Sequence, residues 1–215
     1  AMIVRLVGSE MCIRDRIGDM SRGWKSSEAS VRPNGWVYDC LKGDTSRAAG
    51  QFPIAADGLS VVVKKGGAAE TCVNSMGGLT PDQVRWIYSD FTAAQLAAAG
   101  WDTNSLANSD NDDSTHLWSE LDASCPASEI KISGADSESG TYEFFMDAML
   151  SDAGNGETFD LNRPDGYTNS AEDEVVVNYL ESNADSIGYF GYAYYKANQD
   201  KLTACLLYTS DAADD

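Results

Sequence analysis

Ser133-Gly134-Ala135-Asp136-Ser137-Glu138-Ser139-Gly140-Thr141-Tyr142-Glu143-Phe144-Phe145 is the stretch around which the rest of the chain can be read. Immediately upstream, Glu129-Ile130-Lys131-Ile132 alternates polar and apolar residues, the pattern of a half-buried strand. Downstream, Tyr142, Phe145 and Met149 recur at helical spacing, with Phe144, Ala148 and Leu150 widening the apolar face. Strand and helix are joined by small and hydroxyl-bearing residues. Gly140 lets a ligand approach the backbone closely. The first N–H groups of a helix lack intrahelical acceptors and sit at the positive end of its dipole. An anion meets both needs, and Ser139 and Thr141 add donors without net charge. Taken alone, the same residues also read as an ordinary N-cap, with Ser139 capping a surface helix and binding nothing.

The two ends of the chain have a different character. One permitted codon set for Met11-Cys12-Ile13-Arg14-Asp15 is ATG TGT ATA AGA GAC, followed by A. Its reverse complement, TGT CTC TTA TAC ACA T, encodes Cys-Leu-Leu-Tyr-Thr and opens a Ser codon, matching Cys205-Leu206-Leu207-Tyr208-Thr209-Ser210. Flanks that are inverted copies as nucleotides but unrelated as peptides resemble translated sequencing adapter. Residues 1–16 and 205–215 are therefore set aside as adapter-like and non-native. The remainder, about Ile17 to Ala204, is expected to be an internal fragment whose true ends are missing.

With 215 residues, 43% of them hydrophobic, the chain can form one substantial domain or two small lobes. No apolar run reaches membrane length. The formal net charge of −19, from 34 acidic and 15 basic side chains, argues against nucleic acid, whose phosphates call for basic patches. It also repels a free anion at long range. Salt screens that repulsion beyond about 8–10 Å, whereas N–H dipoles act at contact distance. The same acidity is compatible with a salty habitat.

Other segments have plainer readings. Ile17 to Glu28 holds Ser21-Arg22 ahead of a helix start; Arg22 can give two parallel hydrogen bonds to an oxyanion or pair with a carboxylate. Residues 35–51 look irregular, with a weak strand near Trp36. The β-branched run Val61-Val62-Val63 reads as a buried strand, and Asp57-Gly58 before it as a turn whose Asp could also accept a proton from a protonated oxyanion. Gly66-Gly67 and Gly77-Gly78 bracket an expected loop around Cys72. Thr80-Pro81-Asp82-Gln83 announces a helix through a capping box with Pro in its first turn, and Thr92 to Ala99 an Ala-rich continuation ended by Gly100. Residues 102–114 form an acidic surface loop without the full EF-hand pattern, so no metal is expected. His116 reads as a surface or half-packed residue. Ser170 is expected to cap a helix begun by Glu172-Asp173-Glu174, with Val175, Val176, Tyr179 and Leu180 facing inward. Ser186 to Tyr192 is a glycine-containing strand. Strands alternating with helices give an α/β architecture.

Five stretches, in order, resemble phosphate ABC-transporter substrate-binding proteins. They are Gly18-Asp19-Met20-Ser21-Arg22, Asp57-Gly58-Leu59-Ser60-Val61-Val62-Val63, Leu79-Thr80-Pro81-Asp82-Gln83-Val84, Ser139-Gly140-Thr141-Tyr142-Glu143-Phe144-Phe145 and Ile187-Gly188-Tyr189-Phe190-Gly191-Tyr192-Ala193-Tyr194-Tyr195. The resemblance implies an α/β, two-lobed periplasmic-binding-protein fold of type II that clamps its ligand between lobes. It divides the chain into a partial first lobe (17–56), a nearly complete second lobe (57–195) and a return toward the first (196–204). It implies inorganic phosphate as ligand, an ABC permease as partner, an exported or periplasmic location, a monomer, no cofactor and no catalysis. Ser21 and Arg22 fall on one wall of the cleft, and Ser139, Gly140 and Thr141 on the other. Asp57 is the candidate acceptor for protonated phosphate, with Asp136 and Asp19 behind it. Many relatives carry an Arg shortly before Ser-Gly-Thr; here Ala135 stands near that place. An exported protein would pair cysteines, and Cys72 with Cys125 is the expected pair, the partner of Cys40 lying outside the sequence; three buried thiols are the alternative.

Three other readings compete, one of them a surface or adhesion protein that only retains the fold. Sulfate or molybdate would suit a site made only of donors. A phosphatase or serine hydrolase using Ser139 would need a base, and no His or Lys stands in a readable relation to it.

Overall fold

The computed structural model describes residues 30–31, 37–41, 44–50, 58–89, 91–106, 116–149 and 167–207. The chain divides into two compact units, Ala1–Ala56 and Asp57–Asp215. The described part of the first unit is an antiparallel sheet of β1 (Ser30–Val31), β2 (Val37–Leu41) and β3 (Asp44–Gly50). Val37 pairs with Gly50 and Leu41 with Asp44, with an irregularity between Asp39 and Leu41. Within the stretch expected to be irregular, Val37–Leu41 and Asp44–Gly50 are paired strands. Their Ser, Thr, Ala and Gly content shows no apolar alternation, so the strand period is invisible.

The second unit is built on a five-stranded sheet in the order β6-β5-β7-β4-β8. Its strands are β4 (Leu59–Lys64), β5 (Lys131–Ala135), β6 (Tyr167–Ser170), β7 (Ser186–Gly191) and β8 (Leu202–Ala204). Strands β6, β5 and β7 run parallel, whereas β4 is antiparallel to both β7 and β8. Residues 202–204, within the segment read as a return toward the first lobe, form β8 and pair with Val62–Lys64 inside this sheet. Beyond it, Cys205 N–H donates to the Val61 carbonyl (2.8 Å) and Leu79 N–H to the Leu206 carbonyl (2.8 Å), so the adapter-like run begins along the same edge.

Both faces of the sheet are covered, which is why Val61-Val62-Val63 reads as a continuous apolar run. Val61, Val63, Ile132, Ile187 and Tyr189 face a large cluster containing Trp86, Ile87, Tyr88, Trp118 and Phe145. Val62, Phe190 and Leu202 face Val176, Val177 and Leu180. The first cluster draws on α1 (Ala68–Ser75), α2 (Pro81–Tyr88), α3 (Ala93–Ala98), α4 (Trp118–Leu121) and α5 (Gly140–Met149). The second draws on α6 (Asp173–Ser182). A short α7 (Tyr192–Ala197) follows β7 directly. None of the described helices is long and apolar enough to cross a membrane.

Several local expectations shift. The segment around Cys72 is helix α1, not a loop. Helix α6 begins at Asp173, and Ser170 closes β6, its Oγ accepting from Glu172 N–H at 3.0 Å. Its inward face is Val176, Val177 and Leu180, while Val175 is exposed. On α5, Phe145 and Met146 are buried and Phe144 is exposed. His116 is 2% exposed and stacks on Trp86 with ring centroids 3.9 Å apart. Cys72 and Cys125 form a disulfide.

Candidate functional site

Strands β5, β6 and β7 all end at one rim of the sheet, at Ala135, Ser170 and Gly191. Because β4 is antiparallel to β7, its first residue, Leu59, lies opposite Gly191 at the same rim. Gly58 is tied there by accepting a hydrogen bond from Tyr192 N–H. Helix α5, which follows β5, packs on one face of the sheet, and α6, which follows the neighbouring β6, packs on the other. A crevice outside the carboxyl ends of strands whose helices part in this way is the usual ligand position of an α/β sheet.

The loop from β5 into α5 occupies this rim. Its root is held to β6, since Asp136 N–H donates to the Ser170 carbonyl at 3.2 Å. Ser139 N–H turns back onto the Asp136 carbonyl at 3.0 Å, and Glu138 N–H onto Asp136 Oδ1 at 3.1 Å. Ser139 is the N-cap in fact: its Oγ accepts from Thr141 N–H at 3.1 Å. Gly140 N–H has no acceptor among the described residues. Ser139, Gly140 and Thr141 are all half-buried. Helix α6 opens on the carboxylates of Asp173 and Glu174, and α5 carries one acidic residue, Glu143, in its first turn. The uncharged donors that precede Glu143, on Ser139, Gly140 and Thr141, are the part of the rim that can meet an outside anion.

Beneath the loop lies a group of tyrosines that sequence reading did not assign to the site. Tyr167 Oη donates to the Ala135 carbonyl, and the Tyr167 and Tyr189 hydroxyls are 2.8 Å apart. Tyr189 stacks on Phe145 with centroids 3.9 Å apart. Tyr88 meets both rings edge-on and donates to the Ser133 carbonyl at 3.2 Å. Burial, above all, pushes the Tyr167 and Tyr189 hydroxyls well above the ordinary tyrosine range, so both stay protonated at neutral pH. Tyr167 and Tyr189 come from two strands and Tyr88 from helix α2, all distant from the loop in sequence.

Of the six candidate binding residues, Ser139, Gly140 and Thr141 come together at this rim. Ser21, Arg22 and Asp57 lie outside the described residues, as does Asp19. Asp136 stands at the root of the loop, half-buried. His116, the sole histidine of the chain, is packed against Trp86 in the core.

No protein-family model matches the chain. Comparison with individual proteins is informative. The phosphate-binding protein PstS of Staphylococcus saprophyticus is 27% identical over 152 residues, covering 71% of this chain and 35% of that protein. The chain is similar to a protein named for binding phosphate. Protein SphX of Synechococcus elongatus is 28% identical over 161 residues, covering 75% of this chain and 38% of its own length. A crystal structure described as a possible phosphate-binding protein from Planctomyces limnophilus superposes with a TM-score of 0.51 at 26% identity, over 73% of this chain and 43% of that one. The chain thus spans little more than a third of the curated relatives it matches. The staphylococcal and Planctomyces proteins are named for phosphate binding.

Proposed function

We propose that the protein to which this chain belongs binds inorganic phosphate at the rim, as the solute-binding component of an ABC transporter outside the cytoplasmic membrane. The observation that carries this reading is the set of uncharged donors at the start of α5, Ser139, Gly140 and Thr141, at the carboxyl end of β5, with Glu143 as the one acidic residue of that first turn. The names of the relatives support phosphate as the anion. In this reading the Ser139 and Thr141 hydroxyls and Gly140 N–H form one wall. Ser21 and Arg22 supply donors from the other, and Asp57 accepts the proton that distinguishes phosphate from sulfate. Delivery to a membrane permease follows from the same reading.

A clamp requires both walls, and the chain spans little more than a third of the relatives it matches. The expected result of calorimetric titration of this chain with inorganic phosphate is weak binding or none. A full-length relative restored around it should bind tightly and prefer phosphate to sulfate. Micromolar binding by the chain alone would contradict the two-walled clamp, and a preference for sulfate in the full-length protein would overturn phosphate itself.

A further inference from the structure

We infer that the hydroxyl pair of Tyr189 and Tyr167 is the positioning device of the anion loop, acting through the Ala135 carbonyl. The inference rests on the phosphate reading above for what the loop is positioned to do.

The direction of the relay follows from its chemistry. A carbonyl only accepts, so the one hydroxyl proton of Tyr167 goes to Ala135. The 2.8 Å contact with Tyr189 then requires Tyr189 to donate and Tyr167 to accept. Ala135 is the last residue of β5, and the next residue, Asp136, anchors the turn that ends in Ser139. Two bonds from β6 therefore fix the root of the loop on consecutive residues: Tyr167 Oη on the Ala135 carbonyl, and the Ser170 carbonyl on Asp136 N–H. The Tyr189 ring is itself immobilised between Phe145 and Tyr88, so the relay starts from a fixed point. It ties β7, β6 and β5 together below the place where the anion would sit. It does so with groups that carry no charge, where a carboxylate in the same role would repel the anion.

The roles of the two hydroxyls are unequal. Tyr167→Phe leaves both the Ala135 carbonyl and the Tyr189 hydroxyl without their partners. Tyr189→Phe removes only the second bond. Tyr88→Phe is the control: its hydroxyl serves Ser133, two residues upstream, and is outside the relay.

The test uses the whole chain, labelled with ¹⁵N, and two readouts. Amide hydrogen exchange at residues 136–141 reports the fixing of the loop. Amide shifts on titration with inorganic phosphate into the millimolar range, against sodium chloride of equal ionic strength, report the anion. For Tyr167→Phe, exchange at 136–141 should quicken about tenfold, with a smaller rise for Tyr189→Phe and none for Tyr88→Phe. The phosphate concentration giving half the shift at Gly140 and Thr141 should rise in the same order. Exchange in Tyr167→Phe within about twofold of the parent chain, or an equal rise in Tyr88→Phe, would overturn the relay. If phosphate moves no amide of Ser139–Thr141 in the parent chain while exchange follows the expected order, the tethering stands, and the phosphate reading is decided by the titration of the full-length protein against phosphate and sulfate.

Discussion

A methyl group added at position 134 would stand 2.2 Å from Cε1 of Tyr189, far inside van der Waals contact. Gly134 is there because an aromatic ring passes directly beneath it. Gly134→Ala should therefore destabilise the unit by about 1–3 kcal/mol, through displacement of a ring wedged against Phe145. Urea denaturation measures this, and an unchanged midpoint would mean that Tyr189 can move aside at no cost. The reason for this glycine is not visible in the sequence, because Tyr189 lies on another strand. His116 failed for a similar reason. A polar residue next to an acidic loop looks exposed, yet its ring lies flat on Trp86. Single residues were legible where their partners are neighbours in the chain, as for Ser139 and Thr141, and illegible where the partner arrives through the fold.

At the scale of elements, local signals held. Thr80 and Gln83 exchange the two bonds of a capping box, at 2.9 and 3.1 Å, at the head of α2. Thr92 and Gln95 repeat it at 2.8 and 3.2 Å, so α3 is a separate helix with its own start. Helix α5 is held at its far end as well: buried Arg85 donates from Nε to the Met149 carbonyl at 2.6 Å, while its guanidinium stacks 3.4 Å over Trp101. A cation at a helix C-terminus suits the dipole whose positive end faces the rim. Helices α2, α3 and α4 all lie within the loop closed by Cys72–Cys125, which are 53 residues apart. Closure of a loop of that length corresponds to about 4 kcal/mol in the chain-entropy account. Replacing both cysteines by Ser should lower stability by up to that amount, read by thermal or urea unfolding of the oxidised parent beside the variant. A loss below about 1 kcal/mol would show that the helices are held by packing alone.

Across the whole molecule, the α/β class was legible because strands and helices alternate with clear periods. The mixed sheet order was not, since adjacency of β4 to both β7 and β8 depends on contacts between the two ends of the unit. Half of the rim was legible for the same reason: the cradle is one continuous stretch, whereas the hydroxyl relay is assembled from three strands. Charge is also a whole-molecule property. A formal net charge of −19 makes the folded chain repel itself, so raising sodium chloride from about 10 to about 150 mM should raise the melting temperature. Scanning calorimetry over that range tests it, and a flat response would show that the acidic groups are already balanced locally. The aromatic floor under position 134 bears on that balance too. Any long basic side chain placed there would have to evict Tyr189, so this wall can offer its guest polarity but not a countercharge. On the phosphate proposal, the ion's countercharge has to come from a position other than 134, and the ion is held only while that position faces it.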